Sequence, residues 1–382
     1  NMLVSHHIFK EDIMKRILAM ILALCMIFAL CACGTAAPAA PAETAAPSEP
    51  TESTEPAESA EEPAPVEEAA PAEEDPYADC PELNILCVSA MEPATASVQA
   101  VEYMKTRLEE ETNGKVTMTI LPSGQTGGEA EQTEALIVGE ADMMICGTMP
   151  ITTYAPEFGF MDCPFVFEGA EHMFNVWNGD VGNRLRDALE AKNIHSLGMM
   201  GRGYRHISTN KPLASLEDMA GLVIRTPQGA TFVDTFTALG CVSVPVALTE
   251  LFTALQTGVC EASEGPWDQL VNNKLYEVQK YIVETKYYYA TSLLYMNAEY
   301  YAALPEAYKT LINDISAEAM DYGTNLSKEM EEPLKQQVLD YGTEILAIED
   351  MGPFMEATKD TIAKFYAETW TVTSPEEIAS YK

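Results

Sequence analysis

The sequence lacks the short signatures by which the common enzyme classes are recognised. It has no GxSxG turn to lift a nucleophilic serine, no GxxxxGK[ST] loop for phosphates, no HExxH pair for zinc and no complete GxGxxG. Histidine is scarce, with five in 382 residues: His6, His7, His172, His195 and His206. None has a metal-ligand neighbour at useful spacing, and no CxxC occurs, so neither a zinc ribbon nor a dithiol redox site is expected. No metal and no cofactor is expected. Basic residues are also few, 22 against 59 acidic, for a formal net charge of -37. A chain this acidic repels a polyanion, which excludes nucleic acid as a partner. With so few cations, an arginine set in apolar sequence is informative.

The acidity is uneven. Gly34 to Asp79 holds 13 acidic residues and no lysine or arginine, whereas the chain from Cys80 on has 44 acidic and 19 basic residues. The segment from Thr35 to Asp75 is built of Pro, Ala, Glu, Ser and Thr with almost no large apolar side chain. It cannot bury enough surface to fold, and its prolines and like charges keep it extended. Ahead of it, Met14-Lys15-Arg16 precedes the apolar run ILAMILALCMIFAL, Ile17 to Leu30. That run has the length of a signal-peptide core and is short for a membrane span. The first 13 residues read as an upstream extension, with Met14 as the start. Leu30-Cys31-Ala32-Cys33 resembles a bacterial lipobox. Residues 1–33 are therefore expected to be a signal peptide, Cys33 to carry diacylglycerol, and residues 34–79 to be a disordered tether holding a folded body off the outer face of a membrane. Cys31 is the weaker alternative acceptor. Of the nine cysteines, Cys80, Cys87, Cys146, Cys163, Cys241 and Cys260 fall in the remainder, several inside apolar runs such as MMICG. They read as small buried hydrophobes.

From Cys80 the hydrophobic period alternates between strand and helix. LNILCVSA reads as a strand, SVQAVEYMKTRLEEETNG as a helix stopped by Gly114, KVTMTIL as a strand, EAEQTEALIVGE as a helix and ADMMICG as a strand. Such alternation implies βαβ units and a parallel sheet, hence an α/β fold. IHSLGMMG and YRHIST read as two separate strands parted by glycines, and APEFGFMDCPFVF as an aromatic-rich loop. YYYATSLLYMN, Tyr287 to Asn297, is long, apolar and extended, and Glu299 to Lys335 reads as a long helix with prolines at 305 and 333. In AGLVIRTPQGATF the buried-looking strand Leu222-Val223-Ile224 ends in Arg225. A charge there needs an anion, from the protein or from outside it.

The run RHISTNKPLASLEDMAGLVIRTPQGATFVDTFTALGCVSVPVALTELFTALQTGVCEASEGP, with KLYEVQKYIVETK after it and GQTGGEAEQTEALIVGEADMM and CPFVF before it, resembles the DctP-type solute-binding proteins of tripartite ATP-independent periplasmic (TRAP) transporters. The resemblance covers about Glu82 to Asp350. It implies a periplasmic-binding-protein-like fold of two α/β domains, joined by crossing strands and a long hinge-spanning helix. The domains are then expected at 80–203 plus about 291–330, and at 204–290 plus about 331–382. It also implies a small organic acid caught in the cleft, delivery to integral membrane subunits for secondary uptake, and no catalysis. Candidate ligands are C4-dicarboxylates, sugar acids and other monocarboxylates, with a lean to a sugar acid.

By the same resemblance, Arg225 grips the ligand carboxylate. Arg205 touches the ligand or supports the site, and Glu264 is its salt-bridge partner. Tyr287 stands where some relatives carry histidine. Gly265, in Ser263-Glu264-Gly265-Pro266, replaces an asparagine that helps to bind ligand in many relatives, and Leu248 replaces a covering aromatic. Both departures leave room. Trp267 is a candidate wall or core residue, and Gln125 and Glu129, near the Gly-rich turn, are candidates for the far end of the ligand. Two other readings remain at this point: a sensory receptor of the same fold, and an exported hydrolase, which would need two acids at a fixed separation.

Overall fold

The computed structural model describes residues 75–382. The expected signal segment, the lipidation site at Cys33 and all but the end of the expected tether lie outside the described residues. In the described part the strands are β1 (Leu83–Val88), β2 (Val116–Leu121), β3 (Met143–Cys146), β4 (Ile194–Thr209), β5 (Val223–Thr226), β6 (Val242–Pro245), β7 (Ala262–Pro266), β8 (Tyr281–Glu284), β9 (Tyr289–Asn297) and β10 (Glu344–Ala347). They lie in the order β2-β1-β3-β9-β4-β7-β5-β6, with β8 also beside β4 and β10 beyond β8.

This order divides the sheet into two lobes. β2, β1 and β3 are mutually parallel, as are β7, β5 and β6. Each parallel set is what the alternating strand and helix pattern predicts. The link between them is antiparallel: β9 pairs with β3 and with the first part of β4, and the last part of β4 pairs with β7 and β8. One strand, β4, therefore runs from the first lobe into the second.

Sequence reading separates β4 into two strands at Gly201-Arg202-Gly203. The structure keeps it whole and absorbs the glycines as irregularities, with register shifts between Ser196 and Gly198 and between Gly201 and Gly203. Such a bulge bends a strand and increases its twist without ending the ladder, and it can re-aim a side chain. The long helix also continues past its expected end. Glu306–Tyr341 is one helix with Pro333 inside it, and Pro305 is its N-cap rather than an interior break. Its last carbonyls are closed by Gly342 in the left-handed region.

The helix Ala96–Glu111 starts at Thr95, whose hydroxyl accepts from the Val98 N–H, and it buries Val98, Val101, Met104 and Leu108 on one stripe. That stripe meets Ile312, Ile315 and Ala319 of the long helix in a core that also holds Ile85, Met143 and Leu294. A second core gathers Trp267, Leu270, Val271, Leu334 and Val338. The long helix thus packs on both. A third, aromatic-rich core includes Phe160, Phe232, Phe236, Tyr288 and Trp370. There the lobes touch: the Tyr288 hydroxyl donates to the Met161 carbonyl at 3.0 Å, and the Phe232 ring meets Tyr288 edge-on at 5.8 Å.

The C-terminal chain does not remain on the second lobe, to which sequence reading assigns all of 331–382. Trp370 packs on Phe160, the His172 imidazole bonds the Ile378 carbonyl at 2.8 Å, and Arg184 pairs with Glu377 at 2.5 Å. The last residues therefore return to helices of the first lobe. Five of the six cysteines among the described residues are buried, and all six are unpaired.

Ile312 is fully buried between the long helix and the first lobe. Truncating it leaves a cavity that the helix on one side and the sheet on the other cannot close. Ile312→Ala is expected to lower unfolding stability by about 2–5 kcal/mol, read from urea denaturation. A loss of a few tenths would mean that the long helix is only loosely docked.

Candidate functional site

Where the lobes meet, a cavity of about 70 Å³ (space for the centres of water molecules) is lined from both sides. The first lobe contributes Glu129, Thr148 and Asp162, β4 contributes Arg202 and Arg205, and the second lobe contributes Arg225, Phe232, Leu248 and Gln269, among others. Three guanidiniums thus border one small volume, and each is held differently.

Arg205 is clamped. Its Nε and one terminal nitrogen both donate to Glu264, the second at 2.5 Å, and the two residues are diagonal neighbours on the paired strands β4 and β7, Arg205 standing opposite Pro266 and Glu264 opposite Ile207. Tyr287 donates its hydroxyl to the same carboxylate, at Oε2. The guanidinium carbon lies 5.2 Å over the Phe232 ring. Burial alone would pull the arginine pKa down, but the Glu264 charge outweighs it and the net shift is upward. Burial and the Glu264 charge push Tyr287 well up, so its phenol keeps the proton that it donates.

Arg202 comes from the bulge in β4. It forms a buried pair with Asp268, NH2 to Oδ1 at 2.9 Å and Nε to Oδ2 at 3.4 Å. Sequence reading passes over it, because Gly201 and Gly203 make it look like loop. A lone arginine between bulge glycines was the available signal.

Arg225 is the exception. Its Nε donates to the Val246 carbonyl at 2.9 Å, which fixes the plane of the guanidinium. Its nearest carboxylate oxygen, Glu264 Oε1, is 3.9 Å from NH1, beyond hydrogen-bond reach. Glu264 is already engaged by Arg205 and Tyr287. Arg225 is only 3 % exposed, and burial lowers its pKa to about 10, Glu264 opposing and Arg205 adding to the fall. It stays charged at neutral pH with terminal N–H groups lacking a carboxylate at hydrogen-bond distance.

The wall across from these arginines carries acceptors. Glu129 opens the helix Glu129–Val138 and accepts from the Gly147 N–H at 2.9 Å. Asp162 ends the short 3-10 helix Pro156–Asp162 and accepts from the Thr148 hydroxyl. Burial raises the Asp162 pKa to about 7 against the pull of Thr148 and Arg205, with Glu264 and Glu129 adding to the rise. Asp162 was missed in the sequence, although an acid inside FGFMDCPFVF is a visible anomaly.

The structure brings Arg225, Arg205, Glu129 and Leu248 to the cavity wall, with Glu264 and Tyr287 joined behind Arg205. It separates the others. Gln125 is exposed, on the outside of the turn, and is not on the wall. Its neighbour Gly124, at φ +66°, lies so close to the second lobe that a Cβ there would meet Thr249 Cγ2 at 2.3 Å. The Gly-rich turn is therefore a point of close approach between the lobes. Trp267 is packed in the second-lobe core at 3 % exposure and takes no part in the cavity wall. Gly265 is also off the wall, its free side covered by Gln269. Leu248 borders both this cavity and an outer one of about 470 Å³ that also involves Glu92, Ser123, Phe252 and Lys274.

Comparisons with known proteins agree with one another. Residues 88–369 match the DctP family, described as bacterial extracellular solute-binding protein, family 7. The C4-dicarboxylate-binding periplasmic protein DctP of Rhodobacter capsulatus is 29% identical over 255 residues, 66% of this chain and 76% of that protein. A TRAP periplasmic solute-binding protein from Polaromonas sp. JS666, bound to D-erythronate, superposes with a TM-score of 0.74 at 26% identity, over 78% of this chain and 98% of its own. Another from Pseudomonas putida F1, with bound D-glucuronate, gives 0.73 at 25% identity, over 78% and 97%.

The raised pKa of Asp162 has a consequence for stability. The folded state holds this proton more tightly than the unfolded chain, whose carboxyl titrates near 3.8. The stabilisation is complete below that pH and is lost as pH rises through about 7. Asp162→Asn keeps the oxygen that Thr148 bonds and removes the titration. It is expected to stabilise the ligand-free protein by about 1–4 kcal/mol at pH 8 and by almost nothing at pH 4, measured by urea unfolding at both. An equal effect at the two pH values would show that the carboxyl ionises normally.

Proposed function

Because the chain belongs to the DctP family of bacterial extracellular solute-binding proteins, family 7, we propose that it captures a hydroxylated monocarboxylate in this cavity and delivers it to the integral membrane subunits of a TRAP transporter. The family is one of binding proteins for transport and not of enzymes. The observation that carries the ligand class is Arg225: a buried, oriented guanidinium with no carboxylate in hydrogen-bond reach, on the wall of the cavity between the lobes. A planar fork of donors matches the two oxygens of a carboxylate. Hydrogen bonds to a charged group contribute about 1.5–3 kcal/mol each, and a micromolar ligand needs about 8 in all. The bidentate pair supplies a large share of that. It also explains closure. Sealing a naked guanidinium from water costs several kcal/mol, and the incoming anion removes that cost only in the closed state.

The opposite wall sets the remainder of the ligand. Glu129 and Asp162 accept hydrogen bonds, and a second carboxylate is repelled by Glu129 and, once pH exceeds about 7, by Asp162 as well. Hydroxyl groups satisfy them; the distal carboxylate of a C4-dicarboxylate does not. This favours sugar acids, the class that includes the D-erythronate and D-glucuronate held by the two solved relatives. In the same reading, a lipidated Cys33 holds the protein at the outer face of the cytoplasmic membrane, and the acidic segment spaces the receptor from it.

Thermal-shift and calorimetric titration against D-erythronate, D-galactonate, D-glucuronate, succinate and malate is the test. The hydroxylated monocarboxylates are expected to raise the melting temperature, with succinate at least about tenfold weaker, a gap of about 1.4 kcal/mol. Both Arg225→Ala and Arg225→Lys are expected to abolish the shift, since an ammonium cannot fork. Full affinity in the lysine variant, or succinate binding as tightly as the sugar acids, would overturn the assignment.

A further inference from the structure

Gln269 sits on the short helix Trp267–Asn272 that follows β7, and its side chain folds back over Gly265. A Cβ at position 265 would lie 2.5 Å from the Gln269 Nε2 and 2.9 Å from its Cδ. A side chain at 265 and the observed position of this carboxamide therefore exclude one another. The amide is held by one bond, Nε2 donating to the Glu264 carbonyl at 3.1 Å. Glu264 is the residue that clamps Arg205, so the amide is fixed to the same frame as the arginines. Gln269 is 4 % exposed and lines the cavity with Arg202, Arg205 and Arg225. Among the described residues, nothing hydrogen-bonds its Oε1, and its second N–H is not used.

Gln269 stands at a chemical gap in the cavity wall. The arginines on this wall only donate, and Glu129 opposite, when ionised, only accepts; a carboxamide does both. A hydroxyl also does both, and a buried polar group left without a partner is costly. We infer that Gln269 is a specificity-determining residue that reads the hydroxyl next to the ligand carboxylate, and that Gly265 is there to seat it. The inference rests on the reading of this cavity as a site for an organic acid.

The test is a double-mutant cycle on the intact protein with D-erythronate and D-galactonate as probes, and 3,4-dihydroxybutanoate as the analogue lacking the adjacent hydroxyl. Gln269→Ala is expected to weaken the two hydroxy acids about tenfold or more and to leave the analogue's weaker affinity unchanged. Gly265→Ala is expected to cause a comparable loss, because its methyl expels the amide. The two together are expected to lose no more than Gln269→Ala alone. Gly265→Asn combined with Gln269→Ala returns a carboxamide to the same place and is expected to recover part of the affinity. Should the Gly265 variants not fold, Gln269→Ala and Gln269→Leu, which leave Gly265 intact, still decide through the comparison of D-erythronate with its analogue. Wild-type affinity in Gln269→Ala, an equal loss for the analogue, or additive losses in the cycle would overturn the inference while leaving the proposed function standing. If the wild-type protein binds neither hydroxy acid, the inference falls. If D-glucuronate, succinate and malate also leave it unmoved, the reading of the cavity falls with it.

Discussion

Glu264 is one carboxylate facing two buried guanidiniums, and it can hydrogen-bond only one of them fully. Arg205 takes both oxygens and Tyr287 takes what remains of Oε2, which leaves Arg225 at 3.9 Å. Taking a guanidinium out of water costs several kcal/mol unless geometry and counter-charge are both good. The first pair meets that condition and the second does not. The remaining features of the site follow from this imbalance: a positive place that is oriented, buried and short of an anion.

The fold makes the imbalance possible by drawing the charged groups from separate parts of the chain. Arg205 and Arg202 come from β4, the strand that crosses between lobes, Arg225 from the end of β5, Glu264 from β7 and Tyr287 from just before β9. Glu129 and Asp162 belong to the other lobe. The cationic wall is rigid because it is built on paired strands, while the facing wall is carried by a helix start and a 3-10 turn. The meeting of the lobes places acceptors and donors on opposite walls of a small volume.

The bulge at Gly201–Gly203 and the glycine at 265 show how local irregularity serves the site. The first lets β4 bend from one lobe to the other and turns Arg202 toward Asp268. The second gives space on a buried strand for the amide of Gln269. In both cases the absence of a side chain decides where a neighbouring one goes.

The alternation of apolar runs determined the α/β class, the order of strands and helices in the first lobe, and the long apolar strand that became β9, because these depend on periodicity along a continuous segment. Arg225 stood out for the same local reason, a charge ending a buried-looking strand. The continuity of β4 through its glycines and of the long helix through Pro333 could not be read that way, since tertiary packing overrides the local cost of each. Nor could the return of the last residues to the first lobe, the burial of Trp267 in a core, the exposure of Gln125, or the presence of Arg202, Asp162 and Gln269 at the cavity. Which arginine has its counterion, and which is left waiting, is a matter of ångströms between residues distant in sequence. Only the folded chain fixes those distances.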